Sequence, residues 1–300
     1  MLASFAYLTY WANHQYLVGN WSGRLNGPSS ITGSGIYQDQ NDFAMAFVVA
    51  QPFFWFFGSA RKTKLARWIC WLIIPLSWNA VFLTGSRGGF VGVTATIFII
   101  AMRSRRKLLG LALIPVFLLV FLVEGGPVMT ARVNGLDQYQ VHRSVQDRFH
   151  SWQAAERMIE ANPITGVGLA SYGPAFPYYS HHHPREAHDT LLQITAESGV
   201  FAGAMYLLIV LSLICSLWKN GSQIRREGAR NDALLMMNEA SMVGFMGLVV
   251  CSIFLSLQEF EIFYCLNVLG NSVLYLSRRK QMLAARESDV IGQSALNSSQ

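Results

Sequence analysis

Charge is the scarce ingredient of this 300-residue chain: 13% of its residues are Asp, Glu, Lys or Arg, while 52% are hydrophobic. A soluble domain carries roughly 25% charged residues. A water-soluble enzyme with one large core is therefore excluded in favour of an integral membrane protein. Acidic residues are the rarer sign, 17 against 23 Lys and Arg, which leaves a net charge of +6. That surplus does not suggest a nucleic-acid surface, because the basic residues stand in short blocks beside apolar runs. Cysteine is sparse. Cys70, Cys215, Cys251 and Cys265 all fall in apolar segments without metal-ligand spacing, and they read as small buried hydrophobes. Internal repeats and low-complexity tracts are missing too. The N-terminus has no basic leader region and no clear small-residue cleavage site, so a cleavable signal peptide is not expected.

What the chain does have is a series of apolar runs punctuated by four basic clusters. These are Arg61-Lys62-Lys64-Arg67, Arg103-Arg105-Arg106-Lys107, Lys219-Arg225-Arg226-Arg230 and Arg278-Arg279-Lys280-Arg286. Positively charged loops stay in the cytoplasm. A hydrocarbon core of ~30 Å needs about 20 helical residues. Candidate spans cover 1–18, 42–59, 68–84, 89–102, 108–123, 199–218, 234–257 and 261–277. The first is weak, interrupted by Asn13, His14 and Gln15, and reads as a marginal span or the remnant of a longer helical region. With a cytoplasmic N-terminus, this count puts every basic cluster inside. The expected fold is all-α: a polytopic transmembrane helical bundle of about eight spans with one large helical outer loop.

The domain boundaries follow. Residues 1–123 form an N-terminal transmembrane region of about five spans, 124–198 a large extracytoplasmic loop, and 199–277 a C-terminal region of about three spans. Residues 278–300 form a cytoplasmic tail, polar and frayed from Ser288. Within the loop, Phe149, Trp152, Ala155, Met158 and Ile159 recur at helical intervals, predicting a helix from Ser144 to Ala161 that ends at Asn162-Pro163. A second helix is expected from Ala187 through Gly199 into the next span.

Seven arginines remain on the outer side: Arg24, Arg87, Arg132, Arg143, Arg148, Arg157 and Arg185. Basic residues that defy the orientation rule need another reason to exist. Arg87 sits in Leu83-Thr84-Gly85-Ser86-Arg87-Gly88-Gly89, between two apolar spans. It could snorkel to lipid headgroups. Alternatively, the flanking glycines expose backbone N–H groups beside a guanidinium, a combination suited to a phosphate or diphosphate oxygen. Arg148 reads either as an exposed helix residue paired with Asp147 or Glu156, or as a second cation. His188 reads as a structural histidine or a proton acceptor. His181-His182-His183 resembles a metal tract, but adjoining prolines and the lack of nearby cysteine favour a solvated turn. No metal site or cofactor is assigned. Trp21, Trp152, Tyr172, Phe176, Tyr178 and Tyr179 could stack on sugars or anchor the chain at the membrane surface.

Taken together these positions resemble the O-antigen ligase and polymerase superfamily of bacterial membrane glycosyltransferases. Three ordered elements carry the resemblance. The first is Thr84-Gly85-Ser86-Arg87-Gly88-Gly89 at a span boundary. The second is Asp147-Arg148 with Trp152, followed by Asn162-Pro163-Ile164-Thr165-Gly166-Val167-Gly168. The third is His188 leading to Leu191, then Glu197-Ser198-Gly199 and Gly203. Upstream, Gly35 with Asp39, Asn41, Asp42 and Phe43 resembles the polar stretch that opens an earlier span in this group. Two departures stand out: Asp189 follows the histidine where the family often has Asn, and members often have around ten to twelve spans, which suggests an N-terminally shortened member.

The resemblance implies a glycan transferase in the bacterial cytoplasmic (inner) membrane, with its active face outside the cytoplasm. It would move a glycan from a polyprenyl-diphosphate carrier to an acceptor hydroxyl on a lipid, glycan or protein, with inversion and without metal. Arg87 and Arg148 would hold the diphosphate, His188 would activate the acceptor, and Ser86, Gly88 and Trp152 would contribute to substrate binding. A repeat-unit polymerase is the alternative within the same class. From other classes, a small-solute transporter would need ionisable residues along several spans, where the sequence offers Glu239, Glu259 and Glu261, and a non-catalytic scaffold for polysaccharide assembly stays open.

Overall fold

The structure is a computed structural model that describes residues 2–20, 24–28, 37, 39–61, 63–104, 107–125, 138–227, 233–256 and 260–298. Every regular element among them is helical, which makes the chain an all-α, multi-pass membrane protein. In chain order the helices are α1 (Leu2–Leu17), α2 (Gln40–Ala60), α3 (Lys64–Thr84), α4 (Arg87–Arg103) and α5 (Lys107–Val120), which runs into a π turn at Phe121–Gly125. Then come α6 (Gln138–Ala161), α7 (Tyr172–Tyr179), α8 (Thr190–Ser198), α9 (Val200–Arg226), α10 (Ala233–Ser252) and α11 (Glu261–Ser298).

Each expected span falls on a helix. Four of them, α2, α3, α9 and α10, are long and apolar enough to cross a membrane by length and composition. The α5 segment is apolar but shorter, and α1 and α4 have 16 and 17 residues. Several boundaries differ from expectation. Helix α6 begins at Gln138, before Ser144. The helix expected from Ala187 into the next span is divided, because Gly199 takes φ 85° and ends α8 before α9 begins. The short α7 was not anticipated. The tail continues α11 as helix to Ser298 rather than fraying from Ser288. Gly35, Trp21, Glu259 and Arg132 lie outside the described residues.

The bundle is organised around α2 and α10, each buried along most of its length. In lipid the attraction between helices comes from close packing rather than from water exclusion, so small residues gather where backbones approach. Here α4 meets both central helices through glycine. A Cβ at Gly92 would overlap the Cys251 sulfur, and one at Gly247 would overlap Thr96. Within this apolar core, Trp78 donates its indole N–H to Gln51 Oε1 at 2.7 Å, which satisfies both buried polar groups.

Helix α4 sets the scale of the molecule. At 1.5 Å per residue its 17 residues span about 25 Å, so Arg87 and Arg103 mark opposite ends of the bundle. At the Arg103 end, two basic clusters converge on one acid. Arg103 makes two bonds of 2.8 Å to the Glu239 carboxylate, Arg225 approaches the same group at 3.1 Å, and Arg225 also donates to the Arg103 carbonyl. The Arg103 guanidinium lies 4.4 Å from the centre of the Trp218 ring. The Glu239 side chain is 1% exposed, and removing one partner of a buried pair costs roughly 3–5 kcal/mol. Glu239→Ala should therefore lower the unfolding temperature of the detergent-solubilised protein markedly. An unchanged melting curve would show that the pair does not hold α4, α9 and α10 together.

Candidate functional site

At the Arg87 end, local chain geometry places the first half of the site. Helix α3 stops at Gly85, whose left-handed backbone (φ 62°) turns its N–H to the Phe82 carbonyl at 2.9 Å. Ser86 then caps α4 by accepting the Gly89 N–H at 3.1 Å, which makes Arg87 the first helical residue. The Ser86 hydroxyl donates to Asn41 Oδ1 at 2.8 Å, tying this turn to the start of α2. Arg24 joins from the preceding segment: its Nε donates to the Thr84 carbonyl at 2.9 Å, and Leu25 N–H bonds the Leu83 carbonyl at 3.0 Å.

Helices α6, α7 and α8 supply the second half. They share a small core of Ala154, Ala155, Met158, Tyr172, Phe176 and Ala196. The turn Asn162–Gly168 clamps this domain onto the α8–α9 junction. Val167 N–H bonds the Ala196 carbonyl at 2.9 Å, Gly168 N–H the Glu197 carbonyl at 3.0 Å, and Val200 N–H the Pro163 carbonyl at 2.8 Å. Only glycine fits at Gly166, which has φ 63° and abuts the Glu197 backbone. The Glu197 carboxylate accepts the N–H groups of Ala170 and Tyr172. Just before α8, His188 also adopts a left-handed backbone, φ 51°. That conformation costs a non-glycine residue on the order of 1–3 kcal/mol and persists only where neighbours enforce it. Those neighbours are Ser256, whose Oγ accepts the His188 N–H at 3.1 Å, Trp152, whose indole donates to the Ala187 carbonyl at 2.9 Å, and Asp189, which caps α8 through the Leu192 N–H at 2.8 Å.

The two halves enclose a cavity of about 180 Å³ lined by Arg24, Asn41, Gly85, Arg87, Asp147, Arg148, Arg185 and His188. Residues distant in sequence, Arg87, Arg148 and His188, thus face one space. Four guanidinium charges less the Asp147 carboxylate leave the lining at +3, and Asp147 is engaged by Arg185 at 3.0 Å. Burial dominates the proton affinities here. It lowers the pKa of Arg24, opposed by Asp39 and joined to a lesser degree by Arg87. Burial and the Arg87 charge lower that of Arg148. Burial, and then Arg148, push His188 below its ordinary value, so its imidazole is neutral at neutral pH. A cavity of this charge suits a compact polyanion, and a neutral imidazole beside it can accept a proton.

Not every residue singled out from the sequence lies in this lining. Ser86 is buried and caps α4, Gly88 packs against Phe254 and Leu255, and Trp152 stands one layer back, holding the segment that presents His188. The glycine in the lining is Gly85. Of the proposed sugar-stacking aromatics, Tyr172 and Phe176 are core residues, Tyr179 accepts a bond from Asn162, and Tyr178 is 87% exposed. Among the described residues no three His, Cys, Asp or Glu side chains gather as metal ligands would. Arg24, Arg185 and Asn41 belong to the cavity without having been assigned a role from sequence. Their signal was weak but present: two were arginines outside every motif and outside the four basic clusters, and Asn41 lay in the polar stretch that opens α2.

Fold and site define a class, a multi-pass helical membrane protein with a cation-lined cavity at one end of its bundle. Residues 71–207, a little under half of the chain, match a family model described as O-antigen ligase, which supports membership of the O-antigen ligase superfamily. The match supports a membrane glycosyltransferase-like role. A comparison with curated proteins finds no significant match. The clamp makes its own prediction. Gly166→Ala puts a Cβ into the Glu197 backbone and costs at least about 1–2 kcal/mol for its left-handed conformation alone. Limited proteolysis should then cut between α6 and α8 faster than in the unmodified protein. Equal cleavage rates would remove the clamp from the account.

Proposed function

We propose that the chain transfers a glycan from a polyprenyl-diphosphate carrier to an acceptor hydroxyl, in the manner of an O-antigen ligase. The observation that carries this reading is the +3 cavity with His188 in its wall. The acceptor oxygen attacks the anomeric carbon, the carbon–oxygen bond to the diphosphate breaks, and its electron pair leaves with the diphosphate. The acceptor proton passes to the His188 imidazole. Inversion at the anomeric carbon follows from a single displacement. Charge growing on the leaving diphosphate meets guanidinium groups fixed in advance, which is how a site lowers a barrier rather than merely binding its substrate. Arg87 and Arg148 hold the diphosphate, with Arg24 and Arg185 adding charge at its edge. These cations supply the counter-charge that a metal would otherwise bring, so the reaction proceeds without one.

We read eight spans, with the shorter α1, α4 and α5 and the first half of α11 joining the four long apolar helices. The cavity then faces away from the cytoplasm of the bacterial inner membrane, and the basic ends of α4 and α9 face it. The cavity volume suits this chemistry. At about 180 Å³ it has room for a charged headgroup, while a whole glycan or polyprenyl chain must lie outside it.

Arg87→Ala should abolish transfer in a reconstituted assay while membrane abundance stays normal, and Arg148→Lys should keep a residue of activity, since it retains charge but loses the bidentate fork. Ordinary transfer by Arg87→Ala would sink the diphosphate assignment. The pH profile gives a second test. A base acts when neutral, and burial with Arg148 favours the neutral form, so His188 must be driven to lower pH before it protonates. The acid limb of kcat/KM should fall below the usual 6.5 and vanish in His188→Ala. A limb above that value would remove His188 as the base.

A further inference from the structure

A second, larger opening lies beside the arginine cavity and has no part in the reaction as written. Its volume is about 910 Å³, within the range of roughly 300–1,000 Å³ found for ligand sites. Asp147 and Arg185 line both spaces, so their 3.0 Å ion pair forms a shared wall. Gln146 and His150 contribute from α6, and Ser180 with His181–His183 from the segment after α7. The His150 and His182 rings stack at 3.6 Å with 21° between their planes, joining the two walls.

The lining chemistry narrows the occupant. Parallel stacked imidazoles do not converge their nitrogens on a common point, and no three candidate ligands gather among the described residues, so a metal ion does not fit. The one permanent cation in the lining is Arg185, already engaged by Asp147, so a second phosphate has little to grip. The apolar residues of the lining are Pro177 and Pro184, and polar surface predominates, which does not suit a lipid chain or a hydrophobic peptide. What remains is a set of planar amide, imidazole and carboxylate groups with a hydroxyl. Most of these both donate and accept hydrogen bonds, as neighbouring sugar hydroxyls require.

We propose that this cleft binds the sugar residues of the glycan next to the diphosphate cavity. The proposal rests on the glycan-transfer reading and adds where the sugars lie. They belong either to the donor chain or to a glycan acceptor, and the shared polyhydroxyl chemistry is the same. Gln146, His150 and His182 select by hydrogen bonding, while the Asp147–Arg185 pair separates the uncharged sugars from the diphosphate.

The test uses the full chain in lipid nanodiscs with two probes: lipid-free glycan released by mild acid from the host's own carrier, and inorganic pyrophosphate. His182→Ala and Gln146→Ala, both at exposed positions, should each weaken glycan binding by roughly tenfold, the scale of one or two lost hydrogen bonds. Pyrophosphate affinity should hold, which also reports an intact fold. Varying donor and acceptor separately assigns the sugars: KM rises for whichever substrate occupies the cleft, with kcat little changed. Glycan affinity within about twofold of the unmodified protein in both variants overturns the proposal. Failure of the diphosphate reading shows separately, as absence of pyrophosphate binding to the unmodified protein.

Discussion

The Arg87 end of the bundle depends on holding like charges together before anything binds them. Two unit charges about 6 Å apart repel by roughly 3 kcal/mol at an effective dielectric near 20, and the cavity gathers four guanidinium groups. The fold opposes that repulsion with directed bonds. Arg24 is fastened to the Thr84 carbonyl, and Arg185 to Asp147. Burial is the main reason that the proton affinities of Arg24 and Arg148 are lowered, and the charge of Arg87 adds to it. An arriving polyanion is therefore favoured twice, by attraction and by release of that repulsion. Cations already in place need no reorganisation as charge develops on a leaving group.

The opposite end of α4 shows the contrast. There Arg103 and Arg225 converge on Glu239, with Trp218 beneath, and the charges are met side chain to side chain. Ionisable groups inside a membrane bundle are functional sites by default, yet here the acid faces two cations, Arg103 lies against Trp218, and Arg225 donates to the Arg103 carbonyl. The same residue types thus do different work at the two ends of one helix. Compensation marks the end that holds the bundle together, and surplus charge the end where we propose that a ligand binds.

Much of this was legible in the sequence. Apolar runs of span length located the bundle helices, because hydropathy is set by the bilayer rather than by tertiary contacts. Arg87 and Arg148 stood out as cations against the orientation rule, and His188 through motif order. Other features needed the third dimension. Glu197-Ser198-Gly199 carried a stop signal, but a glycine in such a stretch can equally be passed through as helix; the break at Gly199 is set by its backbone meeting Ile164, a contact the sequence does not display. Arg24 and Arg185 join the cavity through contacts far apart in the chain. Ser86, Gly88 and Trp152 share motifs with the charged residues, but motif membership does not separate the groups that face a ligand from those that hold them in place.

That distinction matters most for the spacing between cation and base. Gly88, one residue beyond Arg87, packs on Phe254 and Leu255, where a Cβ would lie 3.2 Å from the Phe254 side chain. On the other side, Leu255 accepts the Thr190 hydroxyl at 2.7 Å and Ser256 accepts the His188 N–H. The turn leaving α10 therefore touches both halves of the site within three consecutive residues. Cys251 reinforces it from below, donating its thiol toward the Gly88 carbonyl at 3.5 Å. Reaction geometry tolerates little error, since a misplacement of about 1 Å can cost on the order of a hundredfold in rate. One turn registers the start of α4 against the approach to α8. The costly backbone at His188 is thus held from two sides, by Ser256 of the bundle and by Trp152 and Asp189 of its own domain.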